Sequence, residues 1–181
     1  MVRPVDTCPE CGNSDMRVRL VRGAPVHECR LCEARFGDRT VLDELADAEE
    51  AAARGVPEAI WPLVRALEAL PGLLVREAHD GDVPRGTLPA VAIGAASATA
   101  LGSLENLAKS LQLGAGGLQC RWRLAVEYRR DLVFVLAPVA AAPVTAAALA
   151  AAHEDLGQLR RNVERDQRLG WWRHAGRPAN G

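Results

Sequence analysis

Aromatic residues make up only 4% of this 181-residue chain, and Lys109 is the single lysine among 22 basic residues. With so few rings, Ala, Leu and Val must build most of the core. The shortage of lysine reflects genome composition and assigns no function. Excess charge of one sign is also missing. Lys and Arg total 22 against 23 for Asp and Glu, a net charge of −1. That excludes a chain basic enough overall to coat nucleic acid and leaves only local patches. Hydrophobic residues at 49% and charged residues at 25% exclude wholesale disorder.

No long apolar run occurs. The longest, Leu136 to Ala152, is mostly Ala, holds Pro138 and Pro143, and is too short to span a bilayer. Met1 to Asp6 has no apolar signal core. The expectation is a cytoplasmic protein without membrane contact. The patterns G-x-S-x-G, H-E-x-x-H, Walker A and G-x-G-x-x-G are absent as well. No Ser or Thr adjoins a His. Nothing in the chain announces an enzyme.

What is present is a set of cysteines. Cys8, Cys11, Cys29 and Cys32 form C-x2-C-x17-C-x2-C, and Cys120 stands apart. Two C-x-x-C pairs separated by a hairpin-sized loop match a tetrahedral metal site. Two Cys three positions apart on a tight knuckle can aim both sulfurs at one ion, and zinc takes four such ligands. Pro9 and Gly12 suit the first knuckle, because Pro fixes φ and Gly accepts a positive φ. The second knuckle has no Gly after Cys32, so Glu33 or Ala34 must meet that geometry. Met16 to Arg22 largely alternates apolar and basic residues and reads as a strand. Gly23-Ala24-Pro25 is the expected turn, and Val26-His27-Glu28 returns.

Residues 5–38 thus resemble the zinc ribbons, with a CPxCG knuckle, a hairpin and a second CxxC. The resemblance implies one structural zinc per chain on Cys8, Cys11, Cys29 and Cys32, and it is nearly silent about function. Iron in a rubredoxin-like site is the chemical alternative. Two redox disulfides are a further one. His27 is a spare nitrogen ligand or a solvated residue at a strand end. Cys120, on an alternating strand, reads as a buried core thiol.

Beyond the ribbon the apolar spacing predicts helices and strands in the order α-α-β-β-α-β-β-α. Thr40 with Asp43 reads as a capping box opening a linking helix over residues 40–56, striped by Val41, Leu45, Ala48 and Ala52. Pro57 opens the next helix, with Ile60, Val64, Leu67 and Leu70 inward and Pro71-Gly72 as its stop. Strands follow at Leu73–Arg76 and Pro89–Gly94, around a loop from Ala78 to Gly86. A helix carries Leu101, Leu104, Leu107, Ala108 and Leu111, and the glycines at 114, 116 and 117 stop it. Cys120 to Tyr128 and Leu132 to Leu136 pair as a hairpin. A helix of about 35 Å then runs from Thr145 toward Arg168.

The expected fold is α+β: an N-terminal zinc ribbon over residues 1–39, then a domain over 57–169. That domain has a four-stranded, mainly antiparallel sheet, packed helices and a long C-terminal helix. Residues 170–181 form a flexible basic tail. In its helix, Leu70-Pro71-Gly72, strand and loop order, Trp61 to Pro138 resembles a bacterial family of unknown role. Its loop motif, SC-x-GH, is replaced here by Glu77-Ala78-His79-Asp80-Gly81-Asp82, so no site carries over.

Two kinds of contact surface stand out. Arg17 and Arg19 line one side of the ribbon strand, with Arg22 near its turn. Arg121 and Arg123 line the sheet strand, with Arg129 and Arg130 beyond. Arg160, Arg161, Arg165 and Arg168 on the last helix precede Trp171, Trp172, Arg173 and Arg177. Arginines interleaved with aromatics can bind phosphates while stacking bases. The Ala/Leu stripe of the last helix and the acidic linker suit a protein partner or self-association. Glu77, His79, Asp80 and Asp82 are the one acid–base cluster an enzyme or second metal could use, although Asp-Gly-Asp is also ordinary turn chemistry. The reading is a non-enzymatic protein acting in recognition or regulation through protein contacts, nucleic-acid contacts, or both. An enzyme acting near His79 is the alternative.

Overall fold

The computed structural model describes residues 6–112, 117–139 and 143–169. The chain is α+β and divides into two compact units, Met1–Gly55 and Val56–Gly181.

The first unit holds a three-stranded antiparallel sheet in the order β1-β2-β3, made of β1 (Met16–Val21), β2 (Ala24–Cys29) and β3 (Arg35–Phe36). The hairpin turns one residue earlier than expected. Val21 pairs with Ala24, and Arg22 and Gly23 both take positive φ, 49° and 81°. That is the twist a two-residue hairpin loop demands. Ala24 and Pro25 therefore belong to β2. Helix α1 (Arg39–Ala53) follows. Its cap is Asp38, not Thr40: the Asp38 carboxylate accepts the Thr40 and Val41 N–H groups. Asp38 lies one position ahead of the helix, where a carboxylate meets its unpaired donors. Leu45 and Ala51 are its buried residues, while Ala52, expected inside, is exposed. Arg35 ties β3 to the helix through Glu49 at 2.6 Å, and Arg22 reaches Glu44 at 3.1 Å.

In the second unit α2 (Trp61–Glu68) begins after Pro57, whose carbonyl accepts the Ile60 and Trp61 N–H groups as a preceding turn. Ile60, Val64, Leu67 and Leu70 are all buried, as the spacing predicts. Trp61 and Leu63 are buried too, so most of this short helix lies in the core. Gly72, at φ 75°, ends the turn that follows. The sheet has the order β4-β5-β7-β6 and is antiparallel throughout. Its strands are β4 (Leu73–His79), β5 (Ala90–Ala95), β6 (Trp122–Tyr128) and β7 (Leu132–Pro138). Strand β4 runs through His79, three residues beyond expectation, because a bulge between Val75 and Glu77 restores its register.

Helix α3 (Ala98–Gln112) buries Ala100, Ser103, Leu104, Leu107 and Ser110 and leaves Leu101 exposed, contrary to the expected stripe. Small residues at 100 and 103 let it approach the turn after α2, where the Ser103 hydroxyl donates to the Pro71 carbonyl. Helix α4 (Ala146–Arg168) is capped by Thr145, whose hydroxyl accepts the Ala148 N–H. Its 23 residues run about 35 Å. Ala152, Leu156, Leu159 and Val163 face inward as expected, but so do Asp155, Asn162 and Asp166.

Candidate metal centre

The two knuckles fold by one pattern. The Cys8 N–H donates to the Asn13 carbonyl and the Gly12 N–H to the Cys8 carbonyl, each at 2.8 Å. In the second, the Cys29 N–H donates to Ala34 and the Glu33 N–H to Cys29, each at 2.9 Å. Gly12 holds φ 72° and Glu33 holds φ 60°. Glu33 thus takes the left-handed position that glycine fills in the first knuckle, at a cost of about 1–2 kcal/mol.

These turns bring the four sulfurs of Cys8, Cys11, Cys29 and Cys32 within 4.8 Å of one another. Two approaches cross between the knuckles: Cys8 to Cys32 at 3.5 Å and Cys11 to Cys29 at 3.6 Å. A metal with bonds of about 2.3 Å to four tetrahedral sulfurs sets them about 3.8 Å apart. A disulfide needs about 2.05 Å. The cluster is therefore proportioned for a metal ion. Cys8 and Cys29 are buried, whereas Cys11 and Cys32 are exposed.

Groups around the sulfurs favour thiolates unequally. The N–H of Cys32 foremost, with that of Leu31, pulls the Cys29 thiol down to about 6 against its burial. The Leu31 nitrogen lies 3.4 Å and the Asn13 Nδ2 3.7 Å from the Cys29 sulfur. The Ala34 N–H pulls on Cys32, but burial and the three neighbouring sulfurs outweigh it and push that thiol up to about 12. For Cys11 the Asn13 N–H is likewise outweighed, by burial and the Cys29 and Cys8 sulfurs, and the thiol is raised. Four thiolates this close repel one another unless a cation sits among them. The sequence reading missed Asn13. An amide one residue after the CPxCG knuckle was its only signal.

The other candidates are placed less closely. Among the described residues the four cysteines are the only such group proportioned for a metal. The acid–base loop closes on itself instead. Asp82 pairs with Thr87 through backbone hydrogen bonds of 2.9 and 3.0 Å and meets Arg85 at 3.4 Å. The Asp80 carbonyl lies 2.6 Å from His153 Nε2 of α4. His79 and Glu77 are exposed on β4, and Glu77 pairs with Arg129 at 2.9 Å. Cys120 lies before β6 rather than on it and is only half-buried. Its N–H donates to Asp155, and burial, with the Asp155 carboxylate second, raises its thiol.

Arg17 and Arg19 share one face of β1, as expected, alongside Glu28 and Arg35, the side on which Arg35 reaches α1. The other face of β1 shows Val18 and Leu20, 56% and 73% exposed. Arg121 and Arg123 border a groove of about 460 Å³ with Trp122, Leu124 and Leu111. Trp122 is buried. On α4, Arg160 pairs with Glu164 at 2.7 Å, Arg165 with Asp166 at 3.1 Å, and Arg161 bonds Gln158. Arg168 donates to the Glu164 carbonyl. Trp171, Trp172, Arg173 and Arg177 lie outside the described residues.

Among the described residues no helix is long and apolar enough to cross a membrane. No protein-family model, no curated protein and no solved structure matches the chain.

Proposed function

We propose that this chain is a non-enzymatic zinc-ribbon protein of the cytoplasm whose first unit is a docking module for a protein partner. The cysteine cluster carries the reading. All four tetrahedral positions are taken by sulfur, which leaves none for water or substrate, the mark of a structural rather than a catalytic metal. Cys8, Cys11, Cys29 and Cys32 hold the ion, and it supplies the stability that a sheet of three short strands lacks. Zinc fits a four-thiolate site with no redox role.

The surface that docks is β1. It is an edge strand, so one side of its backbone is unpaired within the sheet. It turns Val18 and Leu20 outward, and Leu31 of the second knuckle is 71% exposed. A rigid edge with apolar side chains suits a partner that adds a strand. The α4 arginines support a nucleic-acid surface less, because Arg160, Arg161 and Arg165 are engaged by side chains of their own helix. Arg17, Arg121 and Arg123 are exposed and keep nucleic acid as the second reading.

Affinity capture from extract with the metal-loaded protein, against a Val18→Glu/Leu20→Glu variant, tests the docking surface. A partner held by the native chain and lost by the variant supports it. A partner held equally by both contradicts it. Fluorescence-anisotropy titration against mixed-sequence RNA and single-stranded DNA tests the second reading, which requires binding that weakens steeply with salt.

A further inference from the structure

The four-stranded sheet has two edges, and only one is protected. At β4 the register breaks between Val75 and Glu77, a bulge that blunts an edge. At β6 the pairing with β7 runs unbroken over seven residues, from Trp122↔Pro138 to Tyr128↔Leu132. Strand β6 contains no Pro or Gly and leaves Val126 and Tyr128 59% and 81% exposed. An unbroken edge with exposed apolar side chains is the kind that pairs with another chain.

The hydrogen bonding says which groups are available. The Val139 N–H donates to the Arg121 carbonyl at 2.7 Å, in register with the β6–β7 ladder. Antiparallel pairs alternate, so residues 123, 125 and 127 direct their backbone groups to β7. Residues 122, 124, 126 and 128 direct theirs to the free edge.

We propose that β6 pairs antiparallel with β6 of a second copy, about a two-fold axis at Ala125, to make a continuous eight-stranded sheet. In that register every hydrogen-bonded pair uses outward groups: Trp122 with Tyr128 of the second copy, and Leu124 with Val126. On the opposite face Arg123 stands across from Glu127 of the second copy, and symmetry repeats the pair. Arg123 has no ion pair among the described residues, and Glu127 engages Arg129 through Oε2 alone. The two adjacent registers that keep the outward groups paired set Arg123 against Ala125 or Arg129, so the charges select this one. Arg121 would face Arg129, but Arg129 is already held by Glu77 at 2.9 Å and Glu127 at 3.2 Å. The inference rests on the second unit and is independent of the metal.

Sedimentation equilibrium of the full-length, metal-loaded protein tests it. The expected mass is twice 19.4 kDa. Val126→Pro removes an outward N–H and no β6–β7 bond, so it should give a monomer with an unchanged far-ultraviolet spectrum. Arg123→Glu and Glu127→Arg should each weaken the dimer about tenfold or more, since two attractive pairs become repulsive. The double swap should restore it to near the native Kd. A native chain monomeric at about 100 μM, above the Kd of even a weak edge contact, overturns the proposal. So does a dimer that folded Val126→Pro leaves intact, or a double swap no better than the single variants.

Discussion

Asp155 Oδ2 accepts the indole N–H of Trp122 at 2.9 Å, and the carboxylate is 1% exposed. The same carboxylate accepts the Gln119 N–H at 2.7 Å and the Cys120 N–H at 2.8 Å. One side chain of α4 thus satisfies three donors at the entry to β6, where the chain has left α3 and not yet joined the sheet. A buried carboxylate is tolerable because each donor is aimed at it.

Replacing Asp155 by Ala leaves three donors unmatched, two of them backbone. The expected loss is about 3–5 kcal/mol, read by urea unfolding of the second unit. Asp155→Asn retains one acceptor oxygen but sets an amide N–H against a donor, so its loss should be about 1–3 kcal/mol. Equal stability of all three proteins would remove Asp155 from this role.

The knuckles predict a matched pair of variants. Glu33→Gly relieves a left-handed residue, and Gly12→Ala creates one, with open space around the added Cβ. Each effect is about 1 kcal/mol, opposite in sign, or roughly fivefold in metal affinity. Competition with a metal indicator measures both. Tighter binding by Gly12→Ala would contradict the geometry.

Metal binding should depend on pH with a definite sign. Raised Cys11 and Cys32 thiols hold their protons at pH 7 in the metal-free chain, so each must release one on binding. Cys29, lowered to about 6, is already a thiolate at pH 7. Affinity should therefore rise from pH 7 to pH 8, and its dependence should steepen below pH 6, where Cys29 also becomes protonated. Indicator-dye titration of released protons checks this. Binding without proton release at pH 7 would contradict it.

Gly81 tests the loop that the sequence offered as a catalytic candidate. It sits at φ 85°, and an added Cβ would lie 2.8 Å from the Thr87 carbonyl oxygen and 2.9 Å from the Leu88 carbonyl carbon. Both are backbone atoms, so Gly81→Ala should cost about 2–4 kcal/mol. Denaturant unfolding checks it, and a loss within about 0.5 kcal/mol would show that the loop yields freely.

The order of the eight elements after β3 was legible because apolar spacing is strong in α2, β6 and α4. The cluster was legible because C-x-x-C pairs at that separation have few other uses. Faces were less legible. Leu101 fits a helical stripe by hydrophobicity, but the small Ala100 allows the closer approach and is buried instead. Ala51 is buried in place of Ala52, and two adjacent alanines carry no hydrophobic difference that tells one face from the other. The burial of Asp155, Asn162 and Asp166 had no sequence signal, because a buried polar group is recognised only by its partners. Asp166, for example, accepts the Ser110 hydroxyl from 56 residues away. Strand β3 is two residues long, too short for any period to register.

The metal content of the purified protein tests the central claim most directly. Elemental analysis by plasma mass spectrometry should find about one zinc per chain, lost in a Cys8→Ser/Cys32→Ser variant, with chelation unfolding the first unit. A folded first unit that contains no metal would contradict the account.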